Sequence, residues 1–206
     1  MRLGLFGGTF DPVHLGHLLL AEYCREQCRL DAVWFVPAAE PPHKQRPDLT
    51  PANQRVEMLK LAIGGHEAFS ICTREIERGG VSYTVDTLSD LAAEDPQRQL
   101  FFLLGGDSLA DLPHWREPAR VCELSLPVAV ARPGSPSPDY QSLAQLVSAE
   151  RLAEIRRHQV DMPQIGISSR EIRRRIAAGE SIRYQTPRAV EKYIETARLY
   201  VPFGVR

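Results

Sequence analysis

The chain has 206 residues, a formal net charge of -1 and a pI near 6.6, which excludes a protein that grips nucleic acid through a strongly basic surface. Hydrophobic residues make up 43% and charged residues 25%, the balance of a soluble globular domain with a sizeable core. No apolar run approaches bilayer-spanning length and the apolar part of "MRLGLFGG" is too short for a signal peptide, so the expectation is a cytoplasmic protein with no membrane partner.

"RLGLF" (2–6) reads as a first strand, and "LGHLLLAEYCREQC" (15–28) as the helix that follows it. Between them lies "GGTFDPVHLGH" (7–17). Gly7 and Gly8 lack a Cβ and let backbone N–H groups approach a ligand, and the helix start near His14 adds its free N–H groups and positive dipole end. His14 and His17, three apart, share one face of the first turn, with Gly16 keeping that face open. Two imidazoles there can donate hydrogen bonds to phosphate oxygens as charge develops in a displacement. A capped helix start with partly buried histidines uses the same residues, and a metal held by both histidines with Asp11 is a further reading that lacks an evident third strong ligand. Neither the P-loop nor the dinucleotide glycine pattern is present.

Cys24 and Cys28 sit on this helix and, with Cys72 and Cys122, read as buried free thiols. "AVWFVPA" (32–38) is a short apolar strand, followed by the proline-rich loop "AEPPHKQRPD" (39–48), which presents His43 and Lys44. Thr50 with Pro51 predicts a capped helix through "QRVEMLKLAI" to Gly64 and Gly65. "FSICT" (69–73) is the next strand, and "SYTVDTL" (82–88) contains a capped helix start. "QLFFLLG" (99–105) runs into Gly105, Gly106 and Asp107, a close-approach turn whose carboxylate can accept from ribose hydroxyls. Trp115 is either a core residue or a platform for a flat ring.

"PVAVAR" (127–132) is a further strand, and "RPGSPSPDY" (132–140) a loop. In "GISSREIRRRI" (166–176), Ser168 and Glu171 predict a capping box. Ser168 and Ser169 offer hydroxyls to an anion, with Arg173 one turn on, whereas Arg174 and Arg175 belong to a solvated face. Thr186 and Pro187 predict a cap for the last helix, "RAVEKYIETARLY". Strands alternating with helices predict an α/β fold, a Rossmann-like open and mainly parallel sheet flanked by helices. One domain is expected, with about 166–206 as a C-terminal helical subdomain.

"GGTFDPVHLGH" with "ISSREIR" resembles the nucleotidyltransferases of the α/β-phosphodiesterase superfamily. "PPHK" (41–44), "SYTVDTL", "GGDSL" (105–109) and "HWREP" (114–118) narrow the resemblance to the bacterial nicotinate-nucleotide adenylyltransferases. That family implies attack of the nicotinate mononucleotide phosphate on the α-phosphorus of ATP, giving nicotinate adenine dinucleotide and pyrophosphate. Mg²⁺ is expected through the ATP phosphates, with no protein metal site. The resemblance implies His14, His17 and Arg173 in catalysis. For ATP it implies Gly8, Thr9, Phe10, His17, Lys44, Gly105, Asp107, Ile167, Ser168, Ser169 and Arg173. For the mononucleotide it implies His43, Lys44, Tyr83, Thr84, Trp115 and Arg132. Arg170 stands where the family motif I-S-S-T carries threonine. The rival readings are a pantetheine-phosphate adenylyltransferase-like enzyme and a nucleotide sensor without transferase activity.

Overall fold

Strands that pair on both sides are apolar along nearly their whole length, as a sheet covered on both faces requires. The computed structural model describes residues 1–41, 48–131 and 138–201, with Asp107 described by its backbone alone. Six strands form one sheet: β1 (Arg2–Gly8), β2 (Ala32–Pro37), β3 (Phe69–Ile71), β4 (Gln99–Gly105), β5 (Leu126–Ala131) and β6 (Val160–Asp161). Their order is β3-β2-β1-β4-β5-β6, and every pairing is parallel. Leu3 lies opposite Ala32 on one side and Leu100 on the other, placing β1 at the middle of the sheet.

The connecting helices are α1 (Leu15–Gln27), α2 (Ala52–Ile63), α3 (Arg74–Arg78), α4 (Thr84–Glu94), α5 (Gly106–Asp111), α6 (Pro118–Leu124) and α7 (Ala149–Arg157). Two more, α8 (Ser169–Ala177) and α9 (Arg188–Thr196), follow the last strand, and α9 packs against α2. The core takes in Leu3, Leu5, Phe35, Met58, Leu88, Leu103 and Val128, all buried. Each such side chain contributes about 1.5–3 kcal/mol by leaving water. Among the described residues no helix is long and apolar enough to cross a membrane.

The strands read from composition appear where expected, but β6 is only two residues long and gives no run to read. Its outer backbone is covered by Gln27 at the end of α1. The side-chain amide of Gln27 donates to the Asp161 carbonyl at 2.9 Å and accepts from the Asp161 N–H at 3.2 Å. All four cysteines are free and buried. Burial pushes the Cys28 and Cys122 thiols up to about 11, far from reactive thiolates.

Three predicted caps are corrected. Residue Pro51 is the N-cap of α2 and Pro187 that of α9, with no side-chain cap bond at either. The Thr186 hydroxyl instead donates to the Val13 carbonyl at 2.8 Å. At α8, Ser168 does accept from the Glu171 N–H at 3.2 Å, but the Glu171 carboxylate turns to Arg174 at 2.7 Å rather than closing a capping box. The last helix ends at Thr196, and Arg198 and Tyr200 beyond it take left-handed φ values of 50° and 65°.

Candidate active site

Strand order reverses between β1 and β4, and in such sheets ligands bind outside the carboxyl ends of the strands at that reversal. Each of the two strands ends on a glycine, Gly8 and Gly105. A Cβ on Gly8 would press the Phe10 ring at 3.0 Å, whereas one on Gly105 would meet nothing within 4 Å.

Phe10 is the first fixed point of the turn that follows β1. Its φ of 49° is strained for a bulky residue, at a cost on the order of 1–3 kcal/mol. Core packing holds it there: the ring is 1% exposed and meets Phe6 at 5.4 Å and Phe35 at 5.6 Å between centroids. The Asp11–Pro12 peptide bond is cis. His14 then serves as N-cap of α1, with φ -145° and ψ 170°.

His17 lies one turn into α1, and its Nδ1 accepts the His14 backbone N–H at 3.2 Å. A neutral His17 therefore carries its proton on Nε2. The His14 and His17 rings stack with centroids 3.7 Å apart and planes 22° apart, and His17 also meets the Phe10 ring at 5.1 Å. Gly16 makes this stack possible. A Cβ there would stand 3.1 Å from the Cε1 and Nδ1 atoms of His14.

Residues distant in sequence hold the turn. The carbonyls of Asp11, Pro12 and Val13 accept from Arg173 Nη1 at 2.6 Å, Ser169 Oγ at 2.9 Å and Thr186 Oγ1 at 2.8 Å. The Leu15 N–H donates to the Gln185 carbonyl at 3.0 Å. From the other side, Arg55 donates to the carbonyls of Thr9 at 2.9 Å, Ala38 at 2.8 Å and Thr50 at 2.9 Å. Arg55 is 1% exposed; burial lowers its pKa, and the nearby negative charge of Asp11 opposes that shift.

Several expected site residues converge here: Gly8, Thr9 and Phe10 in the turn, His14 and His17 on α1, and Ser168, Ser169 and Arg173 at α8. The Ile167 carbonyl stands 3.8 Å from the position of a Gly16 Cβ. The Ser169 hydroxyl donates within the site, to the Pro12 carbonyl. Tyr83 and Thr84 open α4 beside the end of β2, where Ser82 Oγ accepts the Ala39 N–H at 2.9 Å. Trp115 packs partly buried, its ring edge-on to Phe102 of β4 at 5.8 Å. His43, Lys44 and Arg132 lie outside the described residues, as does the side chain of Asp107. Arg170 and Arg173 line a cavity of about 600 Å³ together with Thr50, Gln54 and Tyr200.

Sequence reading missed three participants. Arg55 left a signal, a charged residue at a core-facing position of the α2 stripe with Met58 and Leu59. Asp11, read only as a metal ligand, is fully buried and accepts the Tyr200 hydroxyl at 2.7 Å through Oδ1. Tyr200 left no sequence signal at all. Among the described residues no three His, Cys, Asp or Glu side chains group as a metal site.

Residues 5–175 match the model of the cytidylyltransferase-like family. A protein of Thermomicrobium roseum named "probable nicotinate-nucleotide adenylyltransferase" is 46% identical, over 97% of this chain and 91% of its own. One of the same name from Thermus thermophilus is 46% identical over 97% of this chain and all of its own. In structure, the chain is similar to the Plasmodium falciparum nicotinic acid mononucleotide adenylyltransferase solved with NaAD, with a TM-score of 0.73, 18% identity and 97% of each chain covered. The glycine-ended β1, the stacked histidines of α1 and the α8 clasp thus stand on a fold shared with that enzyme, and the chain belongs to the nicotinate-nucleotide adenylyltransferases of the cytidylyltransferase-like family.

Proposed function

We propose that the protein joins nicotinate mononucleotide to ATP, releasing pyrophosphate and forming nicotinate adenine dinucleotide on the route to NAD. The observation that carries this reading is 46% identity over 97% of the chain to relatives bearing that activity in their names, with His14, His17 and Arg173 all in place. A pantetheine-phosphate acceptor or a sensing role has no comparable support.

In this reading the mononucleotide phosphate attacks the α-phosphorus of ATP directly. The nucleophile is ionised near neutral pH, so no strong base is needed and the protein positions groups and stabilises charge. Nε2–H of His17 and the ring of His14 donate to the oxygens of the phosphoryl group in transfer. The backbone from Gly8 to Phe10 lines the phosphates. Ser168, Ser169 through its backbone N–H, Arg173 and Lys44 hold the ATP tail, and Gly105, Asp107 and Ile167 the adenosine. Residues 166–206 serve as the subdomain that completes the ATP site. Tyr83, Thr84, Trp115, His43 and Arg132 form the pyridine-nucleotide side.

A divalent cation, Mg²⁺, is proposed as part of the ATP substrate. Among the described residues, the carboxylate in the turn, Asp11, is buried and accepts the Tyr200 hydroxyl. We place the reaction in the cytoplasm.

Incubation with ATP, Mg²⁺ and either nicotinate or nicotinamide mononucleotide tests the reading. Pyrophosphate release with kcat/KM highest for the acid is expected. Release only with phosphopantetheine, or with no acceptor, overturns it.

A further inference from the structure

Two residues far apart in the C-terminal segment grip the same buried residue of the phosphate turn. Arg173 of α8 donates to the Asp11 carbonyl at 2.6 Å, and Tyr200, beyond α9, donates its hydroxyl to Asp11 Oδ1 at 2.7 Å. Asp11 is fully buried and stands three residues before His14. The carbonyls of Pro12 and Val13, between them, are taken by Ser169 and Thr186. Tyr200 is thus the part of the clasp that holds a side chain rather than the backbone.

The chain bends sharply to deliver it. Arg198 and Tyr200 both have φ near the left-handed region, 50° and 65°, without being glycine. Strained backbone of this kind persists where the surroundings over-determine it, and it clusters at sites whose geometry matters. Burial first, and the Asp11 charge second, push the Tyr200 phenol far above its usual range, so it stays a donor at every working pH. The Thr50 side chain, just before α2, lines the same cavity as Tyr200 and acts against that rise.

We infer that Tyr200 is a positioning residue for phosphoryl transfer: its bond to Asp11 locks the turn so that the His14 N–H meets His17 Nδ1 and the two imidazoles stay stacked. This rests on the adenylyl-transfer reading of the same histidines. The shared geometry is that Asp11 leads directly into the strand of peptide bonds ending at His14.

Tyr200→Phe removes the donor and keeps the ring, and Thr50→Val removes a hydroxyl from the cavity wall beside the phenol. Tyr184→Phe, with Tyr184 80% exposed, is the control. Long-range ¹H–¹⁵N spectra of the imidazoles, taken without substrate, should show His17 with an unprotonated, hydrogen-bonded Nδ1 in the unaltered protein and in Tyr184→Phe. In Tyr200→Phe that resonance should move toward mixed tautomers, and less so in Thr50→Val. With ATP and nicotinate mononucleotide, kcat of Tyr200→Phe should fall about tenfold while KM for ATP changes less than about threefold. Unmoved His17 resonances in Tyr200→Phe overturn the inference whatever the melting temperature does. Absence of turnover in the unaltered protein would instead remove the proposed reaction and leave the imidazole comparison standing.

Discussion

His17 Nδ1 takes the backbone N–H of His14 at 3.2 Å, so the helix start and the orientation of the second imidazole are fixed by one bond. A proton added at Nδ1 would break it, which leaves Nε2 as the site from which His17 donates. His17→Ala should lower kcat on the order of 10²-fold or more, with a much smaller change in ATP affinity, because a bond to a developing oxyanion counts most in the transition state. Single-turnover rates and equilibrium ATP titration of the same variant check it. Equal losses in binding and turnover would make His17 a plain anion contact.

Gly16→Ala separates stability from function. Alanine is favoured over glycine in a helix interior by about 1 kcal/mol, a gain that the first turn reduces and the contact with His14 opposes, so the melting temperature should change by only a few degrees. Its Cβ would sit 3.1 Å from the His14 ring, and the neighbour that must give is half of the stacked pair. Turnover should drop about tenfold or more while the melting temperature moves by only a few degrees. A variant that keeps full kcat would show that the stack tolerates displacement.

The sheet and the H-x-G-H turn were legible because both depend on short-range chemistry. Continuous apolar runs mark strands covered on both faces, and paired glycines before a helix mark a place where backbone must approach a ligand. What holds the turn was not legible. Thr186 looks like a cap beside Pro187 until the fold brings Val13 within 2.8 Å of its hydroxyl. Tyr200 looks like the last turn of a helix that in fact stops at Thr196. Such contacts span more than 150 residues, and no local periodicity encodes them. Arg55 is the intermediate case, visible as a charge in an apolar stripe but with partners that only the fold supplies.

Arg55→Met tests that hub. The substitution keeps much of the apolar volume of the stem and removes the donors for the carbonyls of Thr9, Ala38 and Thr50. Buried acceptors left unpaired cost about 1–3 kcal/mol each, offset in part because burial of the charge is itself costly. A net loss of about 3 kcal/mol is expected, seen as a lower urea midpoint at unchanged m-value. A midpoint equal to that of the unaltered protein would mean the three loop ends are held by packing alone.

Glu75 gives the fold a pH dependence of definite sign. It is buried in α3, and burial raises its pKa, while the Thr87 hydroxyl, donating to Oε1 at 3.0 Å, acts against that rise. A carboxyl whose folded pKa lies above its unfolded value binds more protons in the native state. Its contribution is therefore full at pH below the unfolded value and is lost as pH rises through the folded one. Glu75→Gln retains the side-chain oxygen that accepts from Thr87 and removes the buried charge. The variant should melt a few degrees higher than the unaltered protein at pH 8, and the gap should close as pH falls toward 4. Melting curves of both proteins across that range measure it. A gap that widens on acidification would mean that the charged form is the one the fold prefers, and that the bonds from Thr87 outweigh the loss of water around the carboxylate.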